Sequence, residues 1–255
     1  MRNAEPRRRP PLKRRQRIVL ALAFVGITGA LAAIFWARAQ PLPIAALTPH
    51  TVASQRLYDR RGVLLRELLA RPDGRAHWVS LEAISPHLVA ATIASEDQRF
   101  YEHRGVDLLA ATRALLSNLR RQRIVSGAST LTMQLARILH PERRSFIAKA
   151  RQVALALKLE GLLNKRQILS QYLNRAPYGA GCFGAEAASR RYFDKPAASL
   201  SLAEAALLAA LPRSPSGYNP LRPRSLRRLR RRQRYILGAM RAQRRISAGQ
   251  LRIAL

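Results

Sequence analysis

Ser95-Glu96-Asp97-Gln98-Arg99-Phe100-Tyr101-Glu102-His103-Arg104-Gly105-Val106-Asp107 follows an apolar stretch, residues 88–94, that reads as the body of a helix. Ser85-Pro86 supplies its start, with Ser as N-cap and Pro at the first helical position. The segment places four of the chain's 14 acidic residues within 13 positions, in a protein with 46 Lys+Arg and a net charge of +32. A lone Glu at a helix end is ordinarily solvated surface. Here adjacent carboxylates are followed by an aromatic, a His and a Gly that ends the segment, an order that a solvated helix end does not require. That order weakens the reading of this segment as plain solvated surface.

Downstream lies Gly127-Ala128-Ser129-Thr130-Leu131-Thr132-Met133-Gln134-Leu135-Ala136-Arg137. Small residues lead into a helix, which exposes backbone N–H groups to an anion and permits close approach. On that helix Thr130, Gln134 and Arg137 share one face and Leu131, Leu135 and Ile138 another. A polar stripe beside a core stripe suits a binding groove, and a solvent-facing stripe has the same spacing. Residues 129–140 and 145–163 carry helical apolar periodicity. Asn164-Lys165-Arg166-Gln167 and Ser201-Leu202-Ala203-Glu204 are capping-box patterns ahead of apolar runs. Arg56-Leu57-Tyr58-Asp59-Arg60-Arg61-Gly62-Val63-Leu64-Leu65 reads as a β-hairpin turning at Asp and Gly. Residues 175–184, with Pro177, Gly179, Gly181 and Gly184, and residues 212–220, with three prolines, read as loops. The expected fold class is mainly α with a short N-terminal hairpin.

At the N-terminus, eight Lys and Arg within residues 2–17 face only Glu5, and residues 18–36 then run 19 positions without a charge. At about 1.5 Å per residue that run matches a ~30 Å hydrocarbon core. A preceding basic tail keeps the N-terminus cytoplasmic. A cleaved signal peptide is the competing reading, since Ala37-Arg38-Ala39 resembles a cleavage site, but the run exceeds the usual apolar region of about 7–15 residues. The expected organisation is a cytoplasmic tail at 1–17, a transmembrane anchor at 18–38, a linker at 39–55, the domain at 56–245 and an extension at 246–255. The expected location is the membrane, single-pass, with the N-terminus cytoplasmic and the domain outside. That topology argues against nucleic acid as the partner of the positive charge and leaves anionic lipid or a phosphate-bearing substrate. Residues 221–245 alone hold eleven arginines and no acid, read as a packed helix with a solvated, lipid-attracted face. The single cysteine, Cys182, excludes an intrachain disulfide and a Cys-based metal framework.

The first segment resembles the Glu-Asp-x-x-Phe-x-x-His-x-Gly signature of the family 51 glycosyltransferases, the transglycosylase domains of class A penicillin-binding proteins and their monofunctional relatives. The second resembles that family's Gly-Gly-Ser-Thr-x-Thr-x-Gln signature, with Ala128 at the second Gly. Ile168-Leu169-Ser170-Gln171-Tyr172-Leu173-Asn174 and Ala205-Ala206-Leu207-Leu208-Ala209-Ala210-Leu211-Pro212 resemble two further family segments, and coverage runs over residues 57–240. Leu173-Asn174-Arg175-Ala176-Pro177-Tyr178-Gly179 resembles the 1C type in particular. The resemblance implies a lysozyme-like helical domain that polymerises lipid II, the growing glycan chain being the second substrate. It places the general base on Glu96, with Asp97 beside it. Its substrate-binding set is Phe100, His103, Gly127, Ser129, Thr130, Gln134, Arg137, Lys149, Gln152 and Asn174. Among these it gives Phe100 a packing role and His103 an orienting one. It also places a membrane-embedded flap at residues 108–125. Partners implied are membrane lipids and other cell-wall synthesis proteins.

Two departures qualify the resemblance. The family's Arg-Lys-x-x-Glu reads Ala148-Lys149-Ala150-Arg151-Gln152 here, so a carboxylate usually assigned to the donor phosphate or a metal is an amide that cannot carry charge. A divalent cation, Mg or Mn, at the pyrophosphate stays open on these grounds, and no other cofactor is expected. Glu160 lies too far along the same helix to substitute and is expected to be structural. No Ser-x-x-Lys occurs, so no penicillin-binding activity is expected of this sequence. A lytic, muramidase-like enzyme and a non-catalytic scaffold of wall synthesis are the alternatives.

Overall fold

The computed structural model describes residues 28, 29, 32, 35–42, 44–49, 53–69, 74–121, 129–143 and 145–255. The basic tail, most of the expected span and Gly127 lie outside the described residues. Among the described residues no helix is long and apolar enough to cross a membrane. The chain divides into two units, Met1–Pro41 and Leu42–Leu255. In the first, residues 35–39 are helical and Gln40 Nε2 donates to Trp36 O at 3.0 Å.

The second unit opens with the expected hairpin. Strands β1 (Gln55–Tyr58) and β2 (Leu64–Leu68) pair antiparallel, with Arg56 opposite Glu67 and Leu57 opposite Arg66. Asp59 makes the turn by accepting from the amides of Arg61 and Val63, both at 2.8 Å. Gly62 follows at φ +79°, a conformation that glycine adopts without Cβ strain. Strand β3 (Arg75–Ala76) then leads to the first full helix.

Nine helices follow among the described residues of this unit: α1 (Pro86–Glu96), α2 (Leu108–Arg121), α3 (Leu131–Leu139), α4 (Phe146–Leu162), α5 (Lys165–Arg175), α6 (Ala185–Phe193), α7 (Leu202–Ala210), α8 (Pro223–Ala242) and α9 (Ala248–Ala254). The architecture is mainly helical, as expected. Ser85 caps α1, its hydroxyl accepting from His87 N at 3.3 Å, and Pro86 occupies the first turn. Both expected capping boxes form, Asn164 with Gln167 and Ser201 with Glu204, and a third joins Ser247 to Gln250 ahead of α9.

Helix α1 packs against α7 and α8, and α3 packs against α4 and α5. Alanines 91, 94, 205, 206, 209 and 210 are all buried and let the α1 and α7 backbones approach closely. Leu88, Ile93, Leu229, Ile236 and Leu237 fill the space between them. Each such side chain stabilises the fold by roughly 1.5–3 kcal/mol through the water it leaves. Ile246 and Ala254 join the same cluster, so the last residues pack against the body of the unit.

Residues 175–184 depart from the loop reading. Strands β4 (Pro177–Gly179) and β5 (Cys182–Phe183) form a tight antiparallel hairpin, and β3 adds parallel to β5. Ala180 and Gly181 turn it at φ +49° and +71°, the left-handed pair that two-residue hairpins favour. Strands this short show no alternation in sequence, and their glycines and proline mask them.

Candidate active site

Glu96 is the last residue of α1 and Asp97 its C-cap. The two carboxylates leave the same helix end and serve different ends. Asp97 turns inward. Its Oδ1 and Oδ2 accept from His103 Nε2 at 2.9 and 3.1 Å, and Oδ2 also accepts from the amide of Leu131 at 2.9 Å. That amide is the first of α3, where a helix presents unpaired N–H groups to an anion. Burial pushes the Asp97 carboxyl above its ordinary value, against the pull of His103 and the Leu131 amide.

A second bond ties the same two segments. Thr130 caps α3 by accepting from Met133 N at 3.1 Å and donates its hydroxyl to Gly105 O at 2.6 Å. Lys165 locks the loop from below, donating to His103 O at 2.6 Å and to Glu160 Oε1 at 2.7 Å. Glu160 also accepts from Thr132 Oγ1 at 2.7 Å, which gives it the structural role expected. Phe100 is fully buried (0% exposed) beneath this loop, with the Lys165 ammonium 4.6 Å from its ring centroid. It packs, and it offers no surface to a sugar.

Glu96 faces a cleft of about 200 Å³ lined by Ser95, Asp97, Asp107, Arg113, Ser129, Thr130 and Tyr235. Gln134 Nε2 donates to Glu96 Oε2 at 3.0 Å, and Tyr172 Oη donates to Gln134 Oε1 at 3.2 Å. Glu96 Oε1 has no hydrogen-bond partner. Burial raises the Glu96 carboxyl above its ordinary value, opposed by the Gln134 bond and by the charges of Arg232 and Arg213. A carboxylate fixed through one oxygen, with the other buried and free of hydrogen bonds, and made more basic by its surroundings, keeps a lone pair for a proton.

Positive charge gathers at the cleft edge. Lys149 Nζ donates to Ser129 Oγ at 2.6 Å, and its ammonium is held below its ordinary value by burial and then by nearby Arg137. Arg137 is exposed, and Gln152 is half-buried one turn beyond Lys149 on α4. Asn174 stands elsewhere. It is 1% exposed, accepts from Val79 N at 3.0 Å and donates to Val79 O and Ser170 O at 3.0 and 2.9 Å. Its amide staples the segment before α1 to α5 and leaves no donor for a substrate.

The donor set does not suit a metal. Both Asp97 oxygens are engaged, Gln152 is neutral, and among the described residues no group of three His, Cys, Asp or Glu is placed to hold an ion. Three site residues escape a reading of the sequence: Tyr172, Arg232 and Tyr235. Arg232 is one of eleven arginines in its stretch, and only its burial sets it apart. The signal available was spacing: Leu229, Arg232 and Ile236 fall three and four residues apart, on or beside the apolar face.

The profile of the family described as Transglycosylase matches residues 61–241. Penicillin-binding protein 1A of Aquifex aeolicus is 40% identical over 204 residues, which are 80% of this chain and 27% of that protein. A biosynthetic peptidoglycan transglycosylase of Salmonella arizonae is 46% identical over 64% of this chain and 67% of its own length. Another of that name, from Shigella boydii, is 40% identical over 73% of this chain and 79% of its own.

Proposed function

The chain belongs to the transglycosylase family, the family 51 glycosyltransferases, and from that premise we propose that it polymerises lipid II into β-1,4 glycan strands with Glu96 as general base. The 4-hydroxyl of one sugar attacks the anomeric carbon of the other with inversion. The bond to the lipid pyrophosphate breaks and its electron pair leaves with undecaprenyl pyrophosphate. The hydroxyl proton passes to the Glu96 carboxylate. The observation that carries this reading is the setting of Glu96: it lines the cleft, one oxygen is bonded to Gln134 at 3.0 Å, and the other is buried without a hydrogen-bond partner.

Arg113, Lys149 and Arg137 supply positive charge for the departing pyrophosphate. Asp97 and His103 hold the loop and α3 in register and transfer no proton. The finer parts of the reading follow the resemblance: a lysozyme-like arrangement of the helices, affinity to the 1C type, and an anchor at 18–38 in the plasma membrane with the domain outside. Partners are lipid II, the growing glycan, membrane lipids and other cell-wall synthesis proteins. The residues present do not fit a divalent cation, and no step is routed through one.

Purified protein incubated with labelled lipid II in detergent tests this. Long glycan chains from the wild type, reduced about 10²–10⁴-fold by Glu96→Gln, are the expected result. Cleavage of preformed glycan instead would point to a lytic enzyme. No turnover of either substrate by a folded protein would leave a scaffold.

A further inference from the structure

Arg232 approaches Glu96 from the side opposite Gln134. Its Nη2 lies 3.6 Å from Glu96 Oε1, and the two side chains are 12% and 9% exposed. The same Nη2 is 3.5 Å from Ser95 O, at the carbonyl end of α1, and Arg232 Nε has no hydrogen-bond partner. The guanidinium sits over the ring of Tyr235, 4.7 Å from its centroid, and Tyr235 itself lines the cleft. Helix α8 is fastened to the same helix end a second time, Gln243 Nε2 donating to Ala94 O at 3.2 Å.

We infer that Arg232, seated on Tyr235, is a positioning residue that keeps Glu96 ionised and aimed. The inference rests on Glu96 being the general base. Distance decides how it does so. A charge-assisted N–H···O bond closes to about 2.7–2.9 Å and fills a lone pair. At 3.6 Å the guanidinium still stabilises the carboxylate by Coulomb attraction, yet Oε1 remains without a hydrogen bond. Gln134 on Oε2 and Arg232 beside Oε1 therefore hold one carboxylate from two helices, one by a bond and the other by a field.

Tyr235 completes the device. When Glu96 takes a proton its charge vanishes, and Arg232 is left buried beside a neutral acid. A ring face within about 6 Å attracts a cation whatever the state of the carboxyl, so Tyr235 keeps the guanidinium in place through the cycle. Other groups also face Glu96. Arg213, from the turn Leu211–Arg213, lowers its carboxyl and Asp97 raises it. Tyr172 from α5 and Tyr178 from β4, both buried, are themselves pushed up by burial and by the Glu96 charge, and so stay neutral.

The test is the pH dependence of lipid II polymerisation in detergent by Arg232→Met, Arg232→Lys, Tyr235→Phe, Tyr235→Ala and Glu96→Gln, with folding followed by circular dichroism. Loss of the cation raises the Glu96 carboxyl further, so the acid limb of kcat for Arg232→Met moves to higher pH. The expected loss in kcat is about tenfold or more on the acid side and smaller on the alkaline side, with KM changed less. Arg232→Lys restores part of the limb, Tyr235→Phe leaves the position of the acid limb where the wild type has it, and Tyr235→Ala moves the limb with Arg232→Met. A folded Arg232→Met with an unmoved acid limb, while Glu96→Gln is inactive, overturns the inference and leaves the general base standing. An active Glu96→Gln overturns the general base itself, and this inference with it.

Discussion

Gln134 reaches Glu96 at 3.0 Å across 38 positions of sequence, and its amide is turned the right way round by Tyr172. Buried Tyr172 stays protonated, its phenol held well above the ordinary value, and donates to Gln134 Oε1 at 3.2 Å. The Gln134 NH₂ group must then face Glu96. Direction passes from a phenol through an amide to a carboxylate.

Gln134→Ala removes the middle of that relay. The expected kcat falls roughly 10²-fold, the scale of a misplaced catalytic group, while KM changes little. Steady-state kinetics with lipid II read both quantities. A large rise in KM with kcat intact would assign Gln134 to substrate binding instead.

The Glu96 carboxyl titrates above its ordinary value in the folded protein because burial disfavours its charge. The folded state therefore holds the proton more tightly than the unfolded chain. Stability from this group is complete below the unfolded pKa and is lost as pH rises through the folded one. Glu96→Gln should match wild type in thermal midpoint at low pH and exceed it increasingly toward neutral pH. Melting curves across that window check the sign, and a variant less stable than wild type at neutral pH would contradict it.

Gly105 lies at φ +87°, and a Cβ there would stand 3.0 Å from Ala156 O. Its carbonyl also receives the Thr130 hydroxyl. Gly105→Ala should destabilise by about 1–3 kcal/mol through backbone strain, seen as a lower denaturant midpoint.

Asn174→Ala strips three hydrogen bonds from the Val79 and Ser170 backbone groups. The expected loss of stability is about 1–3 kcal/mol, from buried groups left unpaired. The KM for lipid II, measured on folded protein, should not move. A raised KM would return Asn174 to the substrate set.

Much of this was legible in the sequence because it is local. Ser85-Pro86, Asn164 with Gln167, Ser201 with Glu204, and the turn at Asp59 and Gly62 each act within five residues of themselves. The site was legible for another reason: its two segments carry a family signature. What signature and spacing could not convey is which groups are already satisfied. Asp97 looks like a partner to Glu96 until its oxygens are found on His103 and the Leu131 amide. Asn174 looks available until both ends of its amide are found on backbone. Arg232 looks like any solvated arginine until burial places it beside Glu96. Each of these depends on chain segments far apart in sequence.

The bond from the Leu131 amide to Asp97 has a further consequence, for folding. It joins the end of α1 to the start of α3 across 34 residues, and α1 itself is wedged between α7 and α8. No fragment of the chain holds all four helices except most of the domain. Glu96, the proposed proton acceptor, is thus set in place only when the segments carrying these helices have docked. Hydrogen exchange at Leu131 should accordingly proceed through global unfolding, and a half-folded chain next to its substrate would be inert.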